Sequence, residues 1–127
     1  MNSVLAVYDK REQRQSFRSH IIVKIKEAGH DVVEAGDADT ALKKVSSRKK
    51  PFTAVVFFHG AFTQMDLRTL IQALAKTGKP CKYRFLLHSP ADEDWATIAP
   101  SLSIEFVMPQ AMGYETILNV LLPLLKD

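Results

Sequence analysis

The sequence has a single cysteine, Cys81, and no long apolar run. One cysteine cannot form an internal disulfide or a paired-cysteine metal site, which is typical of proteins from a reducing cytosol. No stretch approaches the roughly 20 apolar residues that span a bilayer, and the N-terminus has a strand pattern without a charged leader, so we expect no secretory signal. We therefore expect a soluble, cytoplasmic protein in which Cys81 is an inert thiol.

The densest basic run, between Lys43 and Lys50, contains no aromatic side chain that could stack on nucleic acid bases. We interpret it as a solvated helix end and loop, so the net charge of +3 does not point to nucleic acid binding by this domain. The 127 residues are enough for one domain, spanning 1–127, whose core needs no disulfide or structural metal.

Short apolar runs alternate with longer amphipathic patterns along the chain. Five strands are predicted, over 3–8, 31–35, 52–58, 83–89 and 103–108. Five helices are also predicted. The first covers 11–28, the second runs from Asp37 or Asp39 to Val45, and the third runs from a start signal at Thr63 and Asp66 to Leu74. The last two cover 92–99 and 114–126. This alternation predicts an α/β fold, a doubly wound five-stranded parallel sheet with five helices.

In such a sheet the ligand site lies beyond the C-terminal ends of the strands, at the switch in strand order. The residues at these predicted ends include one carboxylate, that of Asp9, and the third strand ends in two phenylalanines. The full set is Tyr8, Asp9, His59, Gly60, His88, Ser89, Met108 and Pro109. Any chemistry at this edge must use these side chains.

The chain resembles the receiver domain of bacterial two-component response regulators. "VLAVYDK" looks like the first receiver strand with its acidic pair, and "EAGHDVVEAGDADTALKKV" is very close to the usual second strand and helix. "QMDL" looks like the turn after the third strand, "LLHSP" is similar to the fourth-strand end, and "FVMP" to the fifth. The resemblance covers nearly the whole chain and implies a flavodoxin-like topology and a role in two-component or phosphorelay signal transduction.

Receivers accept a phosphoryl group on an aspartate at the end of the third strand, next to a Mg²⁺-binding acidic pair, a Ser or Thr hydroxyl and a lysine. By resemblance these positions fall on Tyr8 and Asp9 for the acids, Phe58 or His59 for the acceptor, Ser89 or His88 for the hydroxyl, and Met108 or Pro109 for the lysine. Only Asp9 keeps a carboxylate, and Mg²⁺ sites and phosphoryl transfer both depend on such charges. The sequence therefore predicts a pseudo-receiver that is not an enzyme, is not phosphorylated on aspartate and has no cofactor, with weak or absent Mg²⁺ binding at Asp9.

A different class of function remains open at the same edge. Asp9, His59 and His88 could hold a transition metal, and Ser89 with His59 and Asp9 has the residue types of a hydrolytic triad. The simpler alternative is a partly buried histidine that is hydrogen-bonded to Asp9 or to backbone.

In receivers the surface of the fourth helix, fifth strand and fifth helix pairs with other signalling proteins or with a second copy. By resemblance we predict that this partner surface consists of Trp95, Phe106, Tyr114, Leu118, Leu121 and Leu125. The alternative is that these residues are ordinary core. No membrane partner is expected.

Overall fold

The structure, a computed structural model, describes residues 2–11, 15–58, 65–77, 81–88 and 99–125. The strands are β1 (Ser3–Val7), β2 (Asp31–Ala35), β3 (Ala54–Phe58), β4 (Tyr83–His88) and β5 (Phe106–Pro109). The α-helices of the described part are α1 (Gln15–Glu27), α2 (Ala38–Ser47), α3 (Leu67–Lys76) and α4 (Tyr114–Leu124), with 3₁₀ turns at Ala99–Leu102 and Gln110–Met112. The helix predicted over 92–99 lies almost wholly outside the described residues.

All five strands form one parallel sheet in the order β2-β1-β3-β4-β5. The predicted doubly wound sheet is therefore confirmed. The strand order reverses between β1 and β3, where Val4 pairs with Ala54 and Val7 with Phe57. The ends of these two neighbouring strands define the edge at which a ligand site is expected.

The sheet separates two hydrophobic cores. Side chains of β3 alternate between them, because successive residues of a strand point to opposite faces. Val55 and Phe57 face the core covered by α2 and α3, whereas Ala54, Val56 and Phe58 face the core covered by α1 and α4. Every residue of β3 is buried, as its continuous apolar sequence predicted.

Aspartates begin two of the helices. The Asp37 carboxylate accepts a hydrogen bond from the backbone N–H of Thr40 at 2.8 Å, and the Asp66 carboxylate accepts one from that of Thr69 at 2.7 Å. Each bond satisfies an N–H that has no partner inside its helix. The sequence left Asp37 and Asp39 as alternatives for α2, and Asp37 is the cap.

We expect Asp37→Ala to lower the free energy of unfolding by about 1 kcal/mol, and Asp37→Asn, which also caps well, to lower it by less. Hydrogen bonds from Thr40 hold the pKa of the Asp37 carboxyl below its ordinary value. The stability that the ionised Asp37 carboxylate contributes is therefore fully present above the unfolded-state pKa of about 3.9 and is lost as pH falls through the folded-state pKa. Urea unfolding of the three proteins at pH 7 and in acid measures both effects; an Ala variant as stable as the wild type at pH 7 would show that the cap is unimportant.

The helix ends agree with the turn signals in the sequence. Gly29, two residues after α1, has a φ of +95°, a conformation that side-chain-bearing residues rarely adopt. Pro123 lies in the last turn of α4. The helix ends at the next residue, Leu124, because proline has no N–H to continue the hydrogen-bond ladder.

In the described ranges, no helix combines the length and the apolar character needed to cross a membrane.

The predicted partner surface is wrong for Leu118 and Leu121 of α4 and for Leu125, the residue directly after this helix. Leu121 and Leu125 are fully buried and Leu118 is 7% exposed, all within the core between the sheet and α1. They follow Ile117 at helical spacing and share its buried face. The stripe that they form packs against the sheet and leaves the opposite side of α4 to solvent.

The other predicted surface residues differ in exposure. Phe106 is half-buried, with its ring stacked on Phe85 at a centroid distance of 4.9 Å. Tyr114 is 40% exposed, so a contact role for this residue stays a prediction. Trp95 lies outside the described residues.

Candidate functional site

The candidate site is the edge where β1 and β3 end side by side. Tyr8 and Asp9 follow β1 directly, and Phe57 and Phe58 are the last two residues of β3. The backbone N–H of Tyr8 donates to the carbonyl of Ala35 at 3.0 Å, so the chain stays aligned with β2 beyond the end of β1. This places Tyr8 and Asp9 at the carboxyl edge of the sheet.

Asp9 is the buried carboxylate of this edge, with 3% of its surface exposed. Arg11 holds it in a fork: Nε donates to Oδ1 at 3.1 Å, Nη2 donates to Oδ2 at 3.2 Å, and the Arg11 backbone N–H donates to Oδ1 at 2.8 Å. The hydrogen bond to Asp9 raises the pKa of the Arg11 guanidinium. Both oxygens that could bind a metal ion are thus engaged by a cation of the chain itself.

The last two residues of β3 are apolar and buried. Phe57 is 2% exposed and Phe58 is 4% exposed, and they pack into the two different cores. The Phe58 ring meets the Phe17 ring of α1 edge-on at a centroid distance of 6.5 Å. Whether the acceptor position of receivers corresponds to Phe58 or to His59, the strand itself ends in buried aromatic packing.

Tyr8 connects the edge to β2 and α1. Its hydroxyl donates to Oε1 of Glu34 at 3.0 Å, and the guanidinium carbon of Arg18 lies 3.8 Å from its ring centroid. Burial and the hydrogen bond to Glu34 raise the pKa of Tyr8, and the charge of Arg18 partly opposes this rise. Tyr8 therefore contributes to this edge a neutral phenol that is stacked on a cation.

The ends of β4 and β5 add no charged side chain that the structure describes. His88 pairs with Pro109 in the ladder, and only the backbone of His88 is described. Met108 is 5% exposed and belongs to the core under α1 and α4. Gln110, which is buried, donates from Nε2 to the carbonyl of Leu87 at 3.0 Å and ties the end of β5 to β4. Met108, one of the two residues compared by resemblance with the receiver lysine, thus has a packing role.

The alternative site built on histidines is not assembled by the described residues. His59 and Ser89 lie outside them, so neither the metal hypothesis nor the triad hypothesis has a described geometry. Within the described ranges, no three side chains of His, Cys, Asp or Glu come together as a metal site.

Cys81 is half-buried, and burial raises the pKa of its thiol.

Two arginines that lie at this edge, Arg11 and Arg18, were not predicted from the sequence as site residues. Arg11 follows Asp9 by two residues, a spacing that allows a side chain to fold back onto a carboxylate. Arg18 precedes Ile21, Ile22 and Ile25 by three, four and seven residues, which puts it on the apolar face of α1. A charged residue on an apolar helix face could be seen in the sequence, whereas the contact of Arg18 with Tyr8 is shown only by the tertiary structure.

No protein-family model matches the sequence, and no curated protein matches it either. Solved structures do match in fold over almost the whole chain. The receiver domain of the Francisella response regulator 1452 has a TM-score of 0.76 at 17% identity, covering 99% of this chain and 98% of that chain. The fold is that of a receiver domain.

Two further receiver-fold structures have similar likeness. The chemotaxis response regulator CheY4 of Vibrio cholerae has a TM-score of 0.75 at 20% identity, covering 98% of both chains. The response regulator TrrA of Thermotoga maritima, solved in complex with Mg²⁺ and BeF, has a TM-score of 0.73 at 17% identity, covering 98% of this chain and 99% of that chain. At these identities the likeness establishes the fold, and the function must be argued from the site.

Proposed function

We propose that this chain is a signalling domain with the receiver fold that works through protein contacts and not through phosphorylation of an aspartate. It is then a non-enzymatic module of two-component-type signalling. The observation that carries the proposal is the Asp9–Arg11 fork, in which the one buried carboxylate among the described residues of the edge is bonded at both oxygens. The fork turns a possible metal ligand into half of an ion pair.

Phosphoryl transfer depends on the charges around the reacting group. Mg²⁺ takes near-octahedral oxygen ligands and is bound through carboxylates, and the transfer itself needs the developing negative charge to be neutralised in place. A Mg²⁺ ion at Asp9 would have to share the carboxylate oxygens with the positively charged Arg11 guanidinium, and Tyr8 offers a phenol already hydrogen-bonded to Glu34. Phe58 offers no nucleophile. We therefore expect Mg²⁺ binding at Asp9 to be weak or absent.

The proposed contact surface lies on the side of the molecule formed by α1 and α4. The large hydrophobic residues that are most exposed in the described part all belong to these helices or to the turn before α4: Val23, Met112, Tyr114 and Val120. His20 of α1 and Tyr114 of α4 have ring centroids 3.9 Å apart, which joins the two helices at this surface. Exposed apolar residues on two helices that are in contact favour a protein contact at this surface.

The test is an amide NMR spectrum recorded with and without Mg²⁺ and beryllofluoride, a mimic of the phosphoryl group. We expect no saturable shifts near Tyr8, Asp9 and Phe58, because the part of this edge that the structure describes has neither a carboxylate pair nor an aspartate at the end of β3. TrrA, which was solved with Mg²⁺ and BeF, serves as the responding control.

The control variant is Asp9→Asn, which removes the carboxylate charge with little change in shape. Shifts that persist in this variant come from binding elsewhere on the molecule. Saturable shifts at the edge that vanish in Asp9→Asn would overturn the phosphate-independent part of the proposal.

A further inference from the structure

Arg18 is a buried cation at the start of α1. It is 9% exposed and lies on the same helix face as Ile21, Ile22 and Ile25, which are all buried against the sheet. Its guanidinium carbon is 3.8 Å from the centroid of the Tyr8 ring, at the carboxyl edge of β1.

The charge of Arg18 has no anionic partner among the described residues. Its Nη1 is buried and makes no hydrogen bond there. The Tyr8 ring covers one face of the guanidinium plane, but the N–H donors point outward in that plane and are not satisfied by a ring face. A buried charge without a counter-charge is costly, so this arrangement calls for a partner.

The nearby carboxylates are engaged elsewhere. Glu34 accepts the Tyr8 hydroxyl through Oε1, and its Oε2 lies 3.9 Å from Nζ of Lys26. Asp9 is held in the fork of Arg11. Among the described residues, the edge therefore contains one guanidinium that is paired with a carboxylate and a second, that of Arg18, whose buried Nη1 has no hydrogen-bond partner.

We propose that Arg18 is the anchor of a binding site for a small oxyanion, a phosphate or a carboxylate. Two oxygens of such an anion can accept hydrogen bonds in the guanidinium plane, the geometry in which arginine binds these groups most strongly. The Tyr8 ring then supports the guanidinium from one side. This site is built on α1 and is independent of whether the domain responds to Mg²⁺ and beryllofluoride.

The test compares thermal unfolding in chloride, phosphate and acetate at equal ionic strength and pH 7. The variants are Arg18→Met and, as the matched control on the same helix, Lys24→Met, which removes an equal charge from an exposed position paired with Glu27. In the wild type and in Lys24→Met, we expect phosphate or acetate to raise the midpoint temperature saturably, by about 5 °C or more at high occupancy. Arg18→Met should lose this response.

A second variant, Arg18→Lys, keeps the charge without the fork and should bind the anion at least about tenfold more weakly. It remains informative if Arg18→Met does not fold. A response to phosphate alone identifies a phosphate site, and a response to both anions identifies a site that also accepts carboxylates. The proposal fails if the wild type shows no anion-specific rise, or if the rise survives unchanged in both Arg18 variants.

Discussion

Leu121→Ala is expected to lower the free energy of unfolding by about 2–5 kcal/mol. Leu121 is fully buried in the core beneath α1 and α4, so truncation removes apolar contacts and leaves a cavity that the surrounding side chains fill only in part. Urea unfolding followed by circular dichroism measures the change, under conditions where one transition accounts for the signal.

The matched control is Val120→Ala, one residue earlier on the same helix. Val120 is 38% exposed, and alanine is the better helix former, so its effect should stay within about 0.5 kcal/mol. Equal losses in the two variants would contradict the assignment of Leu121 to the core. If the difference is as large as expected, Val120→Ala is the variant in which partner binding can be measured without loss of the fold.

Phe58→Asp should destabilise the protein and should not create a phosphorylatable domain. The substitution removes a ring that packs on Phe17, which alone costs about 3–5 kcal/mol, and puts a carboxyl group in a position that is 4% exposed. Burial raises the folded-state pKa of such a carboxyl above its unfolded-state value of about 3.9. The added penalty is therefore smallest below pH 4 and grows as pH rises toward the folded-state pKa.

Phe58→Asn separates the charge from the loss of the ring. It has nearly the same shape as the aspartate but does not titrate, so the stability difference between the two variants should widen from acid to neutral pH. Denaturant unfolding across this pH range measures the difference. Equal stability at pH 7, together with spectral shifts on adding Mg²⁺ and beryllofluoride to Phe58→Asp, would show that the end of β3 is open and able to function.

The sheet could be predicted from the sequence because its strands are short apolar runs separated by helical patterns. β3 was the clearest case, since a short run that is apolar at every position is typical of a strand covered on both faces. The helix starts were visible as well, although hydropathy alone could not separate Asp37 from Asp39. That choice depends on which carboxylate reaches the backbone N–H of Thr40.

The orientation of α4 could not be predicted in the same way. Its apolar residues surround more than one face, and only the packing shows that the stripe ending in Leu121 and Leu125 faces the sheet. The spacing of four residues from Ile117 to Leu121 and again to Leu125 was the available signal. At the site, the sequence identified Asp9 as the remaining carboxylate, but the fork of Arg11 depends on a local turn that periodicity does not describe.

The central strand has a consequence for how the domain opens. β3 is paired on both edges and contributes alternate side chains to both cores, so neither helix layer can separate from the sheet without uncovering part of the same five residues. Its amide hydrogens should exchange with solvent only through the most extensive opening of the molecule. The two helix layers therefore belong to one cooperative unit. A protein that binds one layer should also change how often the other layer opens, which amide exchange reports.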